Sequence, residues 1–256
     1  MVAATLNPVR QRTAYFYVGL AAACVLMAFG GFAPTYWLQL PAGTFVGPPL
    51  LHVHGVLFST WTLFLLSQAI LAANGRMEHH RAWGVVGVSL ATAMVFIGLT
   101  VATEGLARDL DQYGDRARAH YILPVASIAL FSAYFIVAIA NVSRPDIHKR
   151  LIFLATFALL QAAMARVFFV LATGGGPGMR PGLGPPPPVT LAIVPSLIVE
   201  LLIVAGIIYD WRTRGRPHPV WLWGALVTTA VVLLRGPISE TGAWRAFADA
   251  MAHIAG

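Results

Sequence analysis

The apolar residues of this chain gather in seven long stretches, separated by short segments rich in glycine, proline and charged residues. Each stretch is long enough to cross a bilayer as a helix, since about 20 residues cover ~30 Å of hydrocarbon. The interruptions carry turn-forming pairs such as Asn74-Gly75, which favour the end of a helix. The pattern predicts seven transmembrane helices, at about residues 14–38, 50–73, 83–104, 121–142, 150–172, 189–209 and 219–237.

The composition indicates the same class of protein. The chain is 58% hydrophobic and 11% charged, and its mean hydropathy is +0.73. Soluble domains contain about 25% charged residues, so these few charges cannot cover a water-facing surface. We therefore expect an all-α polytopic membrane protein whose residues 1–256 form one domain in contact with lipid. A bacterial inner (cytoplasmic) membrane is the expected location, and homo-oligomerisation stays open.

The basic residues predict an orientation. The net charge is +7, but Lys and Arg lie in short runs between the apolar stretches and not on one amphipathic face. Nucleic-acid binding is therefore not expected. Ten of the basic residues would lie on the side of the N-terminus and five on the other side. This asymmetry predicts a cytoplasmic, or inner, N-terminus and an external, or outer, C-terminus.

Residues after the seventh stretch have helical spacing. Apolar residues recur there on one helical face, and charged residues lie on the opposite face. The apolar residues are Trp244, Phe247, Ala248 and Met251. This spacing predicts a short amphipathic helix that lies on the bilayer surface.

Three further features are expected outside the helices. The segment 174–188 is almost wholly Gly and Pro, which predicts an irregular connector with no apolar content to pack. His218 lies between two prolines and is expected in solvent. The acidic residues Glu104, Asp109, Asp111 and Asp115 are expected to line an outer loop between the third and fourth helices.

Four histidines stand at or near the starts of four consecutive apolar stretches: His54, His80, His120 and His148. Such residues are normally kept in a membrane with a partner or a function. Because successive helices reverse direction, the first and third of these histidines would meet on the outer side, and the second and fourth on the inner side. Two facing imidazoles are the axial ligands that a heme iron accepts, so two hemes are expected. Charged residues directly follow both inner histidines, so the outer pair is expected to hold its heme more firmly.

The sequence around these histidines resembles the cytochrome b-561 family of transmembrane diheme proteins. It reads Leu-His-Val-His-Gly-Val-Leu-Phe at 51–58, Arg-Ala-His-Tyr at 118–121 and Ile-His at 147–148 after a proline turn. The resemblance covers about residues 50–170. It implies one histidine in each of four consecutive helices, two b-type hemes within residues 50–172, and transfer of electrons through them.

Ionisable residues also occur within the predicted helices. Arg166 and Arg235 fall in the outer half, near the level of His54, and Glu200 falls close to the midplane with Gln161. Charges at this depth are rare without a partner or a role. One interpretation is a structural Arg–Glu ion pair that joins helices five, six and seven. The other is an outer-leaflet pocket for an anion, either a heme propionate, a small-molecule electron donor or a quinone head group.

Several functional classes are excluded. The single cysteine, Cys24, excludes an internal disulfide, a cysteine-based zinc site, an iron–sulfur cluster and covalent heme attachment. The single lysine, Lys149, lies outside the seventh helix, which excludes a retinal Schiff base there.

Three functions remain. The first is a b-type cytochrome that moves electrons across or within the bilayer. Whether it acts as a transmembrane oxidoreductase stays open. The second is a non-redox seven-helix transporter or sensor that binds an anionic solute or a proton at the His/Arg/Glu cluster. The third is a single-heme or metal-binding protein that uses only the outer pair, His54 and His120.

Overall fold

Within the part of the chain that the structure describes, seven helices are long and apolar enough to cross a membrane. A computed structural model describes residues 8–255, with side chains from 13 to 254. The helices are α1 (Pro8–Phe32), α2 (Pro49–Ala73), α3 (Met77–Tyr113), α4 (Asp115–Ala140), α5 (Pro145–Thr173), α6 (Ile193–Arg214), α7 (Pro219–Ser239) and the short α8 (Gly242–Ala255). A π-helical turn, Ala33–Trp37, continues α1, and a 3₁₀ turn, Val189–Ala192, precedes α6. The prediction of an all-α membrane protein with seven spanning helices is confirmed.

Glycine and proline set the helix boundaries. Gly174 and Gly215 follow α5 and α6 in the left-handed conformation, with φ of 78° and 72°, which glycine adopts without steric cost. α2, α5 and α7 each begin at a proline, whose missing N–H has no helical partner in the first turn in any case.

The helix α3 is much longer than predicted. It contains 37 residues and extends beyond the expected span of 83–104 at both ends. Glu104, Asp109 and Asp111 therefore lie on helical turns, and Gly114 alone links α3 to α4. The expected loop is wrong because polar residues of ordinary helix propensity can continue a helix where no proline stops it.

The bundle has two ends because successive helices run in opposite directions. We name the end where α1 begins the N-side and the end where α8 lies the C-side. The basic-residue count predicts that the N-side is cytoplasmic, and this assignment stays a prediction.

The helix α5 forms the centre of the bundle. More than half of its most apolar stretch is buried, against a third or less for every other spanning helix. Close packing against it relies on small residues in its neighbours. A Cβ on Gly224 of α7 would meet Leu154 of α5 at 2.4 Å, and one on Gly31 of α1 would meet the backbone oxygen of Ala163 of α5 at 2.4 Å. Small residues allow transmembrane helices to approach closely in this way.

A buried ion pair joins α5 to α6 near the N-side. Arg150 Nε and Nη2 donate to the two carboxylate oxygens of Asp210 over 2.9 and 2.6 Å, and Arg150 Nη1 donates to the carbonyl of Asp146 over 2.5 Å. The two side chains are 2% and 1% exposed. This bidentate geometry satisfies both charges where water cannot.

His218 caps α7 and is not in solvent as expected. Its Nδ1 accepts from the backbone N–H of Val220, and its Nε2 lies 3.1 Å from Asp146 Oδ2. Burial lowers the pKa of His218, which suits a neutral ring that accepts at one nitrogen and donates at the other. The two flanking prolines fix the chain direction but do not expose the ring.

The amphipathic helix at the C-terminus exists, but its apolar side packs against protein. Ala248 and Ala252 are buried against Leu106 of α3 and Tyr121 of α4. Arg118 Nε also donates to Asp249 over 2.6 Å. The helix α8 thus covers the C-side ends of α3 and α4, and its position relative to the bilayer surface stays a prediction.

We expect Asp210→Asn to lower the free energy of unfolding by about 3–5 kcal/mol, because it leaves Arg150 buried without its counter-charge. Chemical denaturation in detergent measures this loss. Asp111→Asn, an exposed aspartate on α3, is the matched control and should change stability little.

A double variant tests the pairing itself. Arg150→Met combined with Asp210→Leu should recover most of the lost stability, because it removes both charges together. A double variant as unstable as Asp210→Asn would show that the unpaired charge of Arg150 is not the cause of the lost stability.

Candidate functional site

The four predicted histidines lie in two matched pairs of positions. His54 and His120 each stand five residues after the first residue of α2 and α4, and His80 and His148 each stand three residues after the first residue of α3 and α5. At about 1.5 Å per residue, these are depths of ~7.5 and ~4.5 Å along their helices. Helices of one pair run in the same direction, so each pair belongs to one end of the bundle.

The N-side pair is held by the backbone of neighbouring helices. His80 Nδ1 lies 3.3 Å from the carbonyl oxygen of Gln68 in α2, and His148 Nδ1 lies 2.9 Å from that of Ala138 in α4. A carbonyl can only accept, so each Nδ1 carries the hydrogen and each Nε2 keeps a lone pair. Neither Nε2 has a hydrogen-bond partner among the described side chains and backbone, and the two rings lie within electrostatic range of each other.

Gln68 adds an unsatisfied amide at the N-side. Its side chain is buried, and neither Oε1 nor Nε2 has a hydrogen-bond partner within the described part of the chain. Its own carbonyl binds His80, so this amide belongs to the same region. Buried polar groups are rarely left unpaired, so this end of the bundle offers hydrogen bonds that no described residue takes up.

Only one ring of the C-side pair has a hydrogen-bond partner at Nδ1. His120 Nδ1 lies 3.2 Å from the carbonyl oxygen of Pro187, which again leaves Nε2 with its lone pair. His54 instead stacks on Phe58, with ring centroids 4.1 Å apart, and its buried Nδ1 has no partner among the described residues. Both rings lie within electrostatic range of Arg166.

Both N-side rings thus have a hydrogen-bond partner at Nδ1, whereas only one C-side ring has one. The sequence predicted that the outer pair holds its heme more firmly, and that order stays a prediction. The charges next to His148 were expected to crowd it. Arg150 instead pairs with Asp210, and the ammonium of Lys149 lies 4.4 Å from the ring centroid of Tyr17 in α1. Consecutive residues of a helix point about 100° apart, so neighbours in sequence need not share a site.

Arg166 stands apart from the predicted charge cluster. Its guanidinium lies 5.1 Å from the ring centroid of Phe32. It makes no hydrogen bond or ion pair with any residue that the structure describes. It lies in electrostatic range of Arg180 but not of Glu200. Arg166 is therefore a half-buried cation in electrostatic range of His54 and His120, and no described residue forms an ion pair with it.

The other cluster residues meet between α5, α6 and α7. Arg235 donates from Nη1 to Gln161 Oε1 over 3.0 Å and from Nη2 to Ser196 Oγ over 2.9 Å. Glu200 accepts from the hydroxyl of Thr229. The expected Arg–Glu ion pair is wrong, because no ion-pair contact joins Glu200 to an arginine in the described residues. Neutral side chains hold Arg235 instead.

The connector 174–188 is irregular as predicted, but it has packing partners. Its backbone carbonyls accept from side chains of other segments: Gln39 donates to Met179 over 2.8 Å, and Arg116 donates to Pro186. A proline-rich segment has carbonyls but few N–H groups, so it cannot satisfy them internally. The polar side chains of the neighbouring C-side segments could have indicated these contacts. The composition of the connector alone did not predict them.

Comparison of the chain with protein-family models, curated proteins and solved structures found no match.

Proposed function

We propose that this protein is a b-type cytochrome that moves electrons across or within the bilayer through two bis-histidine hemes. His80 and His148 would hold the N-side heme b, and His54 and His120 the C-side one. An energy-transducing membrane such as a bacterial inner membrane suits this function, with a small-molecule electron donor or a quinone as its partner.

The observation that carries the proposal is the state of the imidazoles. In His80, His120 and His148, Nδ1 donates to a backbone carbonyl and Nε2 has no described partner. Histidines that bind a metal usually hold their second ring nitrogen in this way, because the bond fixes the tautomer and aims the lone pair. The same arrangement recurs at three of the four histidines.

The chemistry of the donor set fits heme. An iron that two imidazoles ligate has no open position, and such a heme transfers single electrons. The protein's share is to hold the rings. A carbonyl of one helix orients the imidazole of the next, so each ring is fixed by two helices and not by its own rotamer alone.

A packed aromatic layer lies between the two pairs. Trp61 of α2 donates to Thr156 Oγ1 of α5 over 3.1 Å, and its ring centroid lies 5.4 and 5.7 Å from those of Phe131 and Phe135 of α4. These side chains exclude water from the middle of the bundle. They also hold α2, α4 and α5 in register, which keeps the two histidine pairs at a constant separation.

Arg166 supports an anion at the C-side. Its guanidinium has no described anionic partner and lies in electrostatic range of His54 and His120. A heme propionate or an anionic electron donor would satisfy it. Arg235, which was expected to share this role, is already bound to Gln161 and Ser196, so the proposal assigns the anion to Arg166 alone.

A single heme at the C-side pair has less support. There His54 Nδ1 has no described partner, whereas both N-side rings are oriented by carbonyls. A non-redox function that involves a proton has a separate supporting observation. Glu200 Oε1 is buried without a described partner, and this does not depend on the histidines.

Protein purified after expression with heme available should contain about two hemes per chain. A reduced-minus-oxidised spectrum of the b type and pyridine extraction measure this. Protein that folds to a single species but stays free of heme would refute the cytochrome function.

The two sites should fill in a fixed order. With heme limiting, His148→Ala should weaken binding by about tenfold or more, because it removes the better-oriented site, whereas His54→Ala should bind the first heme as wild type does. Spectral titration with heme measures both affinities.

His79→Ala is the matched control, since His79 is exposed and adjacent to His80. It should leave both affinities unchanged. A first heme lost in His54→Ala and kept in His148→Ala would reverse the assigned order.

A further inference from the structure

The bundle contains two buried sets of an arginine and a carboxylate, and they are built differently. Arg150 and Asp210 form a closed bidentate pair with distances of 2.9 and 2.6 Å. Arg235 and Glu200 are 3% and 8% exposed, yet no ion-pair contact joins them in the described chain. The first set is closed by direct hydrogen bonds between its two charges, whereas the second has no such contact.

Glu200 is only partly satisfied. Its Oε2 accepts from the hydroxyl of Thr229, but its Oε1 is buried without a described partner. Arg235 Nε is buried without a described partner as well. Both side chains therefore keep an unused hydrogen-bonding atom in the interior, where water is not freely available to satisfy it.

Few ionisable groups face this carboxyl. Among the described residues, those in electrostatic range of Glu200 are Arg235 on α7 and Tyr134 on α4. The helix α5 contributes the neutral Gln161, and α6 contributes Ser196, which bonds Gln161 over 3.1 Å. One fixed cation and one phenol thus define the electrostatic environment.

Either protonation state of Glu200 is tolerated without rearrangement. The ionised carboxylate has the charge of Arg235 nearby, but it is buried and accepts only one hydroxyl. The neutral acid avoids the cost of a buried charge. Adding or removing a proton breaks no ion pair, because Gln161 and Ser196 hold the guanidinium in place.

Further hydroxyl groups lie close to Glu200. Thr228 precedes Thr229 in α7, and its Oγ1 lies 2.9 Å from the hydroxyl of Tyr134. That hydroxyl donates to the carbonyl of Gly224 over 3.1 Å. Beyond them, Trp221 is fully buried and stacks on Phe157. These hydroxyl groups of α4 and α7 form a separate cluster, and no described hydrogen bond connects them to Glu200.

We propose that Glu200 is a proton-exchanging carboxyl group, which takes up and releases one proton within the membrane while Arg235 remains fixed. The exchange is O–H bond formation and cleavage at the carboxylate, and the aqueous phase outside the bundle is the source and the sink of the proton. It requires no heme, so it goes beyond the cytochrome function and does not depend on it.

Infrared difference spectroscopy of the purified full chain, between alkaline and acidic buffer, tests the proposal. The wild type should show the carbonyl stretch of one buried, protonated carboxylic acid, which shifts in D₂O. Glu200→Gln should lose this band. Glu78→Gln, an exposed glutamate on α3, is the matched control and should keep it.

Thr229→Val provides a second variant that retains the carboxyl. Loss of the hydroxyl removes one hydrogen bond from Glu200, so the band should remain and move to higher frequency. A wild-type spectrum without a titrating band would overturn the proposal, as would a band that persists in Glu200→Gln. Folding of each variant is checked by its helical circular dichroism.

Discussion

Lipid supplies no hydrogen bonds, and this constraint determines how the polar residues of the bundle are arranged. Backbone groups of the spanning helices are satisfied within the chain, and buried side-chain polar groups are stabilised when they find a partner there as well. Arg150 pairs with Asp210, Arg235 bonds to Gln161 and Ser196, and three of the histidines bond to backbone carbonyls. Ten buried side-chain atoms have no described partner, and they belong to Tyr17, Thr35, Gln39, His54, Gln68, Glu200, Tyr209, Trp221 and Arg235. The proposed heme and proton sites include those of His54, Glu200 and Arg235, and Gln68 lies beside His80.

The spanning helices could be predicted because hydrocarbon thickness sets a minimum apolar length, which is visible in the sequence. The same signal fails beyond the lipid. Hydropathy reports contact with lipid and not helical backbone, so the polar end of α3 looked like a loop although it continues to Tyr113. Likewise, the apolar face of α8 indicated burial, but it could not distinguish a bilayer surface from Leu106 and Tyr121.

The histidine positions could be predicted because helix reversal and a constant rise per residue decide which residues share an end. Their hydrogen bonds could not, since these depend on how each helix is rotated about its own axis. Lys149 and Arg150 illustrate this limit, because they follow His148 in sequence but reach Tyr17 and Asp210. The open geometry of Glu200 was hidden for the same reason, as buried charges of opposite sign on neighbouring helices suggested a direct pair as one of two interpretations.

The length of α3 has a mechanical consequence. Its 37 residues make a rod of about 55 Å, nearly twice the ~30 Å hydrocarbon thickness, so ordinary tilt cannot hide it in the bilayer. Its last turns must stand in the headgroup region or in water, with α8 packed along them. This end of α3 is stiff because α8 packs against it. A change in bilayer thickness would shift the membrane surface along α3 without bending the helix. The C-side rim of this protein should therefore keep its shape in membranes of different thickness.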